Sequence, residues 1–442
     1  MLLLNAAGHH LAEVPFWTSI PFIIMLLTIA VGPLVAEHWW ERNRNKLIVS
    51  AVLAIPTAVY LKYSGLTLNL EHQIFGDYVP FIILLTALFV ITGGIHIHGD
   101  IKATPRNNTI FLAIGFVLAS IMGTTGAAML LIRPVIATND QRTFKMHTIL
   151  FFIAIIANCG GLLTPLGDPP LLLLYLRGAE FTWFINMFPE WITTGGLLLI
   201  IYFIIDSYYY KKEHWTALSA DAREVQPLKI EGTINLIYLA GVVFSVAFIN
   251  PNVLPEMGEA DAPKWLVFLR EIVLLFLIAL SWLTTKKTIR KANKFAWGPI
   301  IEVAVVFVGI FITMTPTLLF LNQHAESLGL TSPWQFFYCT GLLSAFLDNA
   351  PTAVAFWSVA TNLPIAEGAT IVAQVSEKIL IAISSSAVFF GAMTYIGNGP
   401  NFMVKAIAEE NGIKMPSFFG YIFKFSFIVL LPIYIIVQLL FI

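Results

Sequence analysis

Apolar residues fill the chain in twelve long runs separated by short polar stretches. The runs fall near 17–36, 47–63, 78–98, 110–138, 147–177 and 189–210. After a polar stretch from Lys211 to about Gly232, they resume near 233–249, 265–284, 296–321, 334–361, 372–405 and 417–441. Most approach the ~20 residues an α-helix needs to cross a bilayer. The ~10-residue alternating segments of a membrane barrel are not the pattern here. The fourth run of each half is ~28 residues and is split by small and turn-forming residues. These are Gly123-Thr124-Thr125-Gly126 in one half and Asp348-Asn349-Ala350-Pro351 in the other. A helix that enters, turns there and leaves on the same side fits each, so both are expected to be re-entrant hairpins. The fifth run of each half is broken in its middle by Gly and Pro.

The two breaks echo each other. Gly161-Leu-Leu-Thr164-Pro-Leu-Gly167-Asp168-Pro-Pro170 and Gly391-Ala-Met-Thr394-Tyr-Ile-Gly397-Asn398-Gly-Pro400 share Gly-x-x-Thr-x-(Leu/Ile)-Gly-(Asp/Asn)-x-Pro. The hairpins also align without gaps, from Ser120 to Ala128 on Ser344 to Thr352. The shift is 224 residues for the hairpins and 230 for the breaks. Two pairs at nearly one offset argue for internal duplication. Residues 1–210 then form one repeat, 211–232 a cytoplasmic linker and 233–442 the second repeat. A hairpin does not cross, so each half crosses five times, about ten crossings in all. The odd number inverts the second copy. The expected fold is an all-α polytopic membrane protein built as an inverted repeat, each half with a re-entrant hairpin and a broken helix. Irregular backbone at membrane depth is tolerated only against protein or a water-filled cavity. Paired broken helices mark the binding site of a secondary transporter.

Composition agrees. The chain is 58% hydrophobic and 12% charged, against roughly 25% charged in soluble domains, and its mean hydropathy is +0.81. The net charge of −1 gives no footprint for nucleic acid, and two cysteines, Cys159 and Cys339, give neither a disulfide framework nor metal spacing. No His-Glu-x-x-His pair suggests an intramembrane enzyme. Residues 1–16 lack Lys and Arg, so the run at 17–36 reads as a retained span rather than a cleaved signal. With the N-terminus outside, 18 of the 25 Lys and Arg fall in cytoplasmic loops, three (Lys62, Arg177, Lys264) fall outside, and four lie within or near the runs. That bias follows the positive-inside rule and survives only if both hairpins are re-entrant. Both termini are then external, as is the acidic loop 250–263.

The candidate chemistry sits at the breaks and tips. An intramembrane carboxylate is costly, so Asp168 and Asp348 are read as ion-binding acids; a helix cap or structural ion pair is the alternative for each. Around them stand Asn158, Ser120, Thr124, Thr125, Thr164, Ser344, Asn349, Thr352, Thr394 and Asn398, with Asn401 nearby. Hydroxyls, amides and unwound carbonyls are hard oxygen donors that suit Na⁺. Two acids at one site favour a cation over an organic anion, and a desolvated carboxylate can exchange a proton for Na⁺. The expected function is Na⁺/H⁺ (or Li⁺/H⁺) antiport, with no cofactor beyond the transported ions. Glu302 reads as a second proton site or an interfacial acid, His96 and His98 as a polar helix end or, alternatively, pH sensors, and Ser384-Ser385-Ser386 as a pathway lining or a close-packing stripe. Runs 1–3 and 7–9 lack breaks and are expected to form a static frame.

The phrases Gly160-Gly161-x-x-Thr164-Pro165-x-Gly167-Asp168 and Ser344-x-x-x-Asp348-Asn349-x-Pro351, with the hairpins and broken helices, resemble the ion transporter superfamily. Within it the chain is most similar to NhaD-type sodium/proton antiporters and the related citrate-transporter (CitMHS-like) group. The resemblance implies a scaffold, a transport domain with elevator-like motion, a homodimer in membrane lipid, and a bacterial cytoplasmic membrane. The alternative it carries is Na⁺- or H⁺-coupled di- or tricarboxylate transport. The tips lack the Ser-Asn-Thr of the dicarboxylate branch, while the second break, Gly397-Asn398-Gly399-Pro400-Asn401, looks closer to the anion and citrate branches.

Overall fold

A computed structural model describes residues 14–442 except 41, 260 and 366. The stretch 1–13, on which part of the signal-peptide argument rests, lies outside the described residues. The described residues are mostly helical. Seven helices among the described residues are long and apolar enough to cross a membrane, from Phe16–Pro33 through Asn43–Tyr63 and Thr67–Thr92 to Phe418–Phe441. Ile234–Phe248 and Leu269–Thr284 are shorter, at 15 and 16 residues. Each spans roughly 24 Å at ~1.5 Å per residue. With these two and the second broken helix, the described residues supply ten long helical segments for the expected crossings.

Both hairpins form as expected. The first runs through Pro105–Met122 and Thr124–Thr138 and turns at Gly123, whose φ of 80° favours a residue without Cβ. The second runs through Pro333–Phe346 and Asn349–Ala360. Both broken helices are present too. The first descends as Met146–Ile155, unwinds through a short 3-10 turn at Cys159–Leu163, and resumes as Pro169–Leu176. The second is Glu377–Gly391 followed by Gly399–Glu410. Pro at the first turn of each resumed helix fits, because that N–H has no intrahelical partner.

Packing sorts the helices into two groups. The frame joins Phe16–Pro33, Asn43–Tyr63, Thr67–Thr92, Ile234–Phe248, Leu269–Thr284 and Gly298–His324, which touch one another extensively. The body joins the hairpins, the broken helices, Phe188–Tyr210 and the last span. Within the body each half grips the other. Pro169–Leu176 packs on Asn349–Ala360, and Gly399–Glu410 packs on Thr124–Thr138. Glu302 pairs with Lys46 at 2.6 Å, tying two frame helices together.

Two parts of the chain differ from the expectation. The stretch after Lys211 folds into a helix, Trp215–Glu224, and a strand, Gln226–Glu231. That strand pairs antiparallel with His96–Asp100, so His96 and His98 lie on a ribbon and not on a helix end. The ribbon joins the two connections that cross between frame and body at this end of the molecule. Asp221 reinforces it, accepting from the backbone N–H of Ala103.

Candidate functional site

The hairpins dock on the breaks through matching hydrogen bonds. Thr164 donates to the carbonyl of Ser120, and Thr394 donates to the carbonyl of Ala345. Each threonine hydroxyl then accepts from the N–H two residues on, Leu166 or Ile396. These pairs correct the alignment read from sequence. Ser120 corresponds to Ala345, Thr124 to Asn349 and Gly123 to Asp348, a shift of 225 rather than 224. The match of Ser120 with Ser344 misled because the conserved partner is a backbone carbonyl, which any side chain can carry. The serines still work in place: Ser120 donates to the carbonyl of Gly160 and Ser344 to that of Ala387.

Close backbone approach holds each break shut. A Cβ on Gly167 would lie 1.8 Å from the Gly161 carbonyl oxygen, and one on Gly397 would lie 2.7 Å from that of Gly391. Only glycine fits at such contacts. The Gly167 carbonyl turns to accept from the N–H of Thr124 at 2.8 Å, so the first break is pinned to the first hairpin tip.

At the centre lies Asp168, 2% exposed. Its Oδ1 accepts from the Thr124 hydroxyl at 2.7 Å and from the Asn398 amide at 3.0 Å. Its Oδ2 accepts from the Asn349 amide at 2.5 Å. Thus one carboxylate gathers a donor from each tip and from the opposite break. Asn398 also reaches the Ala157 carbonyl and Asn158 Oδ1. Asn158 donates to Asn401 at 2.7 Å, and Asn401 donates in turn to the carbonyls of Gly391 and Thr394. All of these residues are buried.

The remaining sequence candidates play other parts. Asp348 is half-buried and caps the helix Asn349–Ala360 by accepting from the N–H of Ala350 at 3.0 Å, the helix-cap role that is the alternative to ion binding. Thr352 bonds back to the Asp348 carbonyl within its own helix. Thr125 lines a small cavity of about 70 Å³ between the first hairpin tip and the frame, walled there by Leu85, Leu88, Phe89 and Val303. Ser385 and Ser386 bond back along their own helix, and all three serines are fully buried. Among the described residues no group of three His, Cys, Asp or Glu side chains gathers around one point.

Several contributors were missed by the sequence reading. Trp191 donates to the Gly160 carbonyl, and Tyr421 and Ser426 donate to the carbonyls of Ala392 and Met393. The span after each break thereby satisfies the carbonyls that the break sets free. The available signal was a Trp, Tyr or Ser inside an otherwise apolar run that follows a break.

Residues 11–442 match the family model described as "Putative citrate transport". The chain belongs to this citrate-transport family. No curated protein matches it in a search of such sequences. Membership makes the chain an integral membrane protein of a transporter family, in keeping with its helices. In this family member the two glycine-closed breaks and the two hairpin tips meet around one carboxylate.

Proposed function

We propose that this protein couples the movement of a citrate-class polycarboxylate across the membrane to a cation, Na⁺ or H⁺, held at Asp168. The observation that carries the proposal is the Asp168 cage, in which every discontinuous element supplies either the charge or a donor to it. Four helices begin at the tips and breaks, and they run for 15, 12, 8 and 12 residues. Their N-termini bear partial positive charge and attract carboxylate groups, while unwound carbonyls and Asp168 favour a cation. An anion and a cation can therefore share one neighbourhood and be carried together. The family match supports the organic anion. In this reading the basic loops face the cytoplasm and both termini lie outside.

A second reading is Na⁺/H⁺ antiport through Asp168 alone. It is favoured by one fact: the side-chain partners of the Asp168 carboxylate among the described residues are all neutral. A proton and Na⁺ would then compete for one acid. Proteoliposomes separate the two readings. Uptake of labelled citrate or succinate driven by an imposed Na⁺ or pH gradient supports the first. Sodium-induced proton release reported by a pH dye, with no labelled uptake, would replace it with the second.

A further inference from the structure

At the end of the molecule that carries loop 250–263, polar contacts fasten the body to the frame. Arg177 closes the resumed first broken helix, Pro169–Leu176. Its Nη2 donates to Asp77 Oδ2 at 2.8 Å. Asp77 lies in a π-helical turn, His72–Tyr78, of the frame span Thr67–Thr92; such turns recur at functional positions. Arg177 is 8% exposed and Asp77 2%. The guanidinium also donates to the Leu173 carbonyl and sits over the Trp357 ring of the second hairpin at 5.3 Å. Two residues earlier, Tyr175 donates to the Val246 carbonyl at 2.7 Å and accepts from Arg270 Nη1 at 3.4 Å. Val246 and Arg270 belong to frame helices, so one short piece of the body is held by three of them.

The opposite end differs. The small cavity lies between the first hairpin tip and the ribbon-side ends of two frame helices, Thr67–Thr92 and Gly298–His324. Body and frame are thus joined by a buried ion pair at one end, while at the other the first hairpin packs on Thr67–Thr92 around a small cavity lined largely with apolar side chains.

We propose that Asp77–Arg177, seconded by Tyr175, is a latch that holds this arrangement and must open in every transport cycle. A buried ion pair adds little net stability to a fold. What it does well is discriminate, because sliding the body away leaves two uncompensated charges that must find water. The latched state is therefore a defined resting place, with the small cavity present at the ribbon end. Tyr175 and Arg177 act through position and touch no substrate. The inference rests on the transport reading only in that the body moves against the frame.

The test uses the full-length protein in vesicles, with Cys159→Ala and Cys339→Ser removing the native thiols and Val303→Cys reporting on the cavity. An impermeant maleimide is applied from the ribbon side. Asp77→Asn and Arg177→Gln are expected to slow labelling by about tenfold or more, because the latched state loses its advantage. Tyr175→Phe keeps the ring and removes one hydrogen bond, so labelling should slow by roughly threefold. The exchange Asp77→Arg with Arg177→Asp should restore the parent rate to within about threefold. Should the two charge-removing variants not fold, Tyr175→Phe alone decides. Parent-like labelling in every folded variant overturns the latch. If labelling shifts as expected and no citrate flux is found in the parent, the latch stands and the substrate reading falls.

Discussion

Asp168→Asn is the sharpest perturbation that the structure offers. The substitution changes one oxygen for an NH₂ and leaves the volume nearly unchanged. In the parent both carboxylate oxygens accept, from Thr124 and Asn398 on one side and Asn349 on the other. An amide must turn its NH₂ toward one of these donors, so at least one contact becomes repulsive. The loss of charge matters more. A cation ~3 Å from a carboxylate, at an effective dielectric of ~20, gains roughly 5 kcal/mol. Losing it weakens ion binding by more than about a thousandfold. The fold should not suffer comparably, because a neutral amide costs far less to bury than a carboxylate. The expected outcome is a monodisperse protein, with a melting temperature equal to or above the parent's, that no longer drives labelled citrate uptake on a Na⁺ or pH gradient. Gradient-driven uptake in proteoliposomes checks this beside a thermal melt. Wild-type uptake with unchanged cation dependence would refute the assignment of the coupling ion to Asp168.

Four further outcomes follow. Gly167→Ala places a Cβ 1.8 Å from a backbone oxygen that has nowhere to go, so no folded protein should be recovered by size-exclusion chromatography. Gly399→Ala, where nothing lies within 4 Å, should behave as the parent. Asp348→Asn should retain the cap and the parent's transport, whereas Asp348→Ala should lower stability by about 1 kcal/mol in a denaturant titration; abolished transport in a stable Asp348→Asn would return this residue to the ion site. Single cysteines in the segment 211–224 should react with an impermeant reagent only in inside-out vesicles, and labelling from outside intact cells would invert the proposed topology.

The architecture was readable because its determinants are local. A ~28-residue apolar run split by Gly123 or by Asp348-Asn349 is too long for one span and has a turn at its middle, so a hairpin is the economical reading. Gly and Pro at fixed spacing likewise announce the two breaks. Asp168 was readable because few acids sit so deep in an apolar run. What the sequence hid depends on contacts between distant residues. Thr394 seeks a backbone carbonyl, and carbonyls leave no mark in a sequence, so identity between Ser120 and Ser344 set a register one residue off. Trp191 and Tyr421 serve carbonyls some thirty residues away and carry no periodic signature. Arg177 counted only as an external-loop charge, and no local pattern links it to Asp77, a hundred positions away. The ribbon of His96–Asp100 with Gln226–Glu231 was hidden because its strands are short and polar, and each gains its partner only after the spans between them have folded.

The near-symmetry of the site explains how one carboxylate comes to sit between two matched cradles. The two breaks present the same backbone: a glycine closed on a glycine six residues earlier, a threonine clamped on a hairpin carbonyl, and a helix resuming at proline. On that shared frame the chemistry diverges at one pair of positions, where Asp168 is matched by Asn398 and the two meet at 3.0 Å. Two carboxylates at that separation could not both stay ionised. With Asp in one half and Asn in the other, the charged side chain finds its neutral counterpart as a donor, and Asn398 is free to reach across to Asn158 as well. The tips divide in the same way, Thr124 and Asn349 each giving one donor to the same acid. A duplicated scaffold thus builds two cradles and places the Asp168 carboxylate between them. On the proposed reading, a cation bound there would be held by both halves at once, and loading it would join the hairpins and broken helices into one unit that moves against the frame.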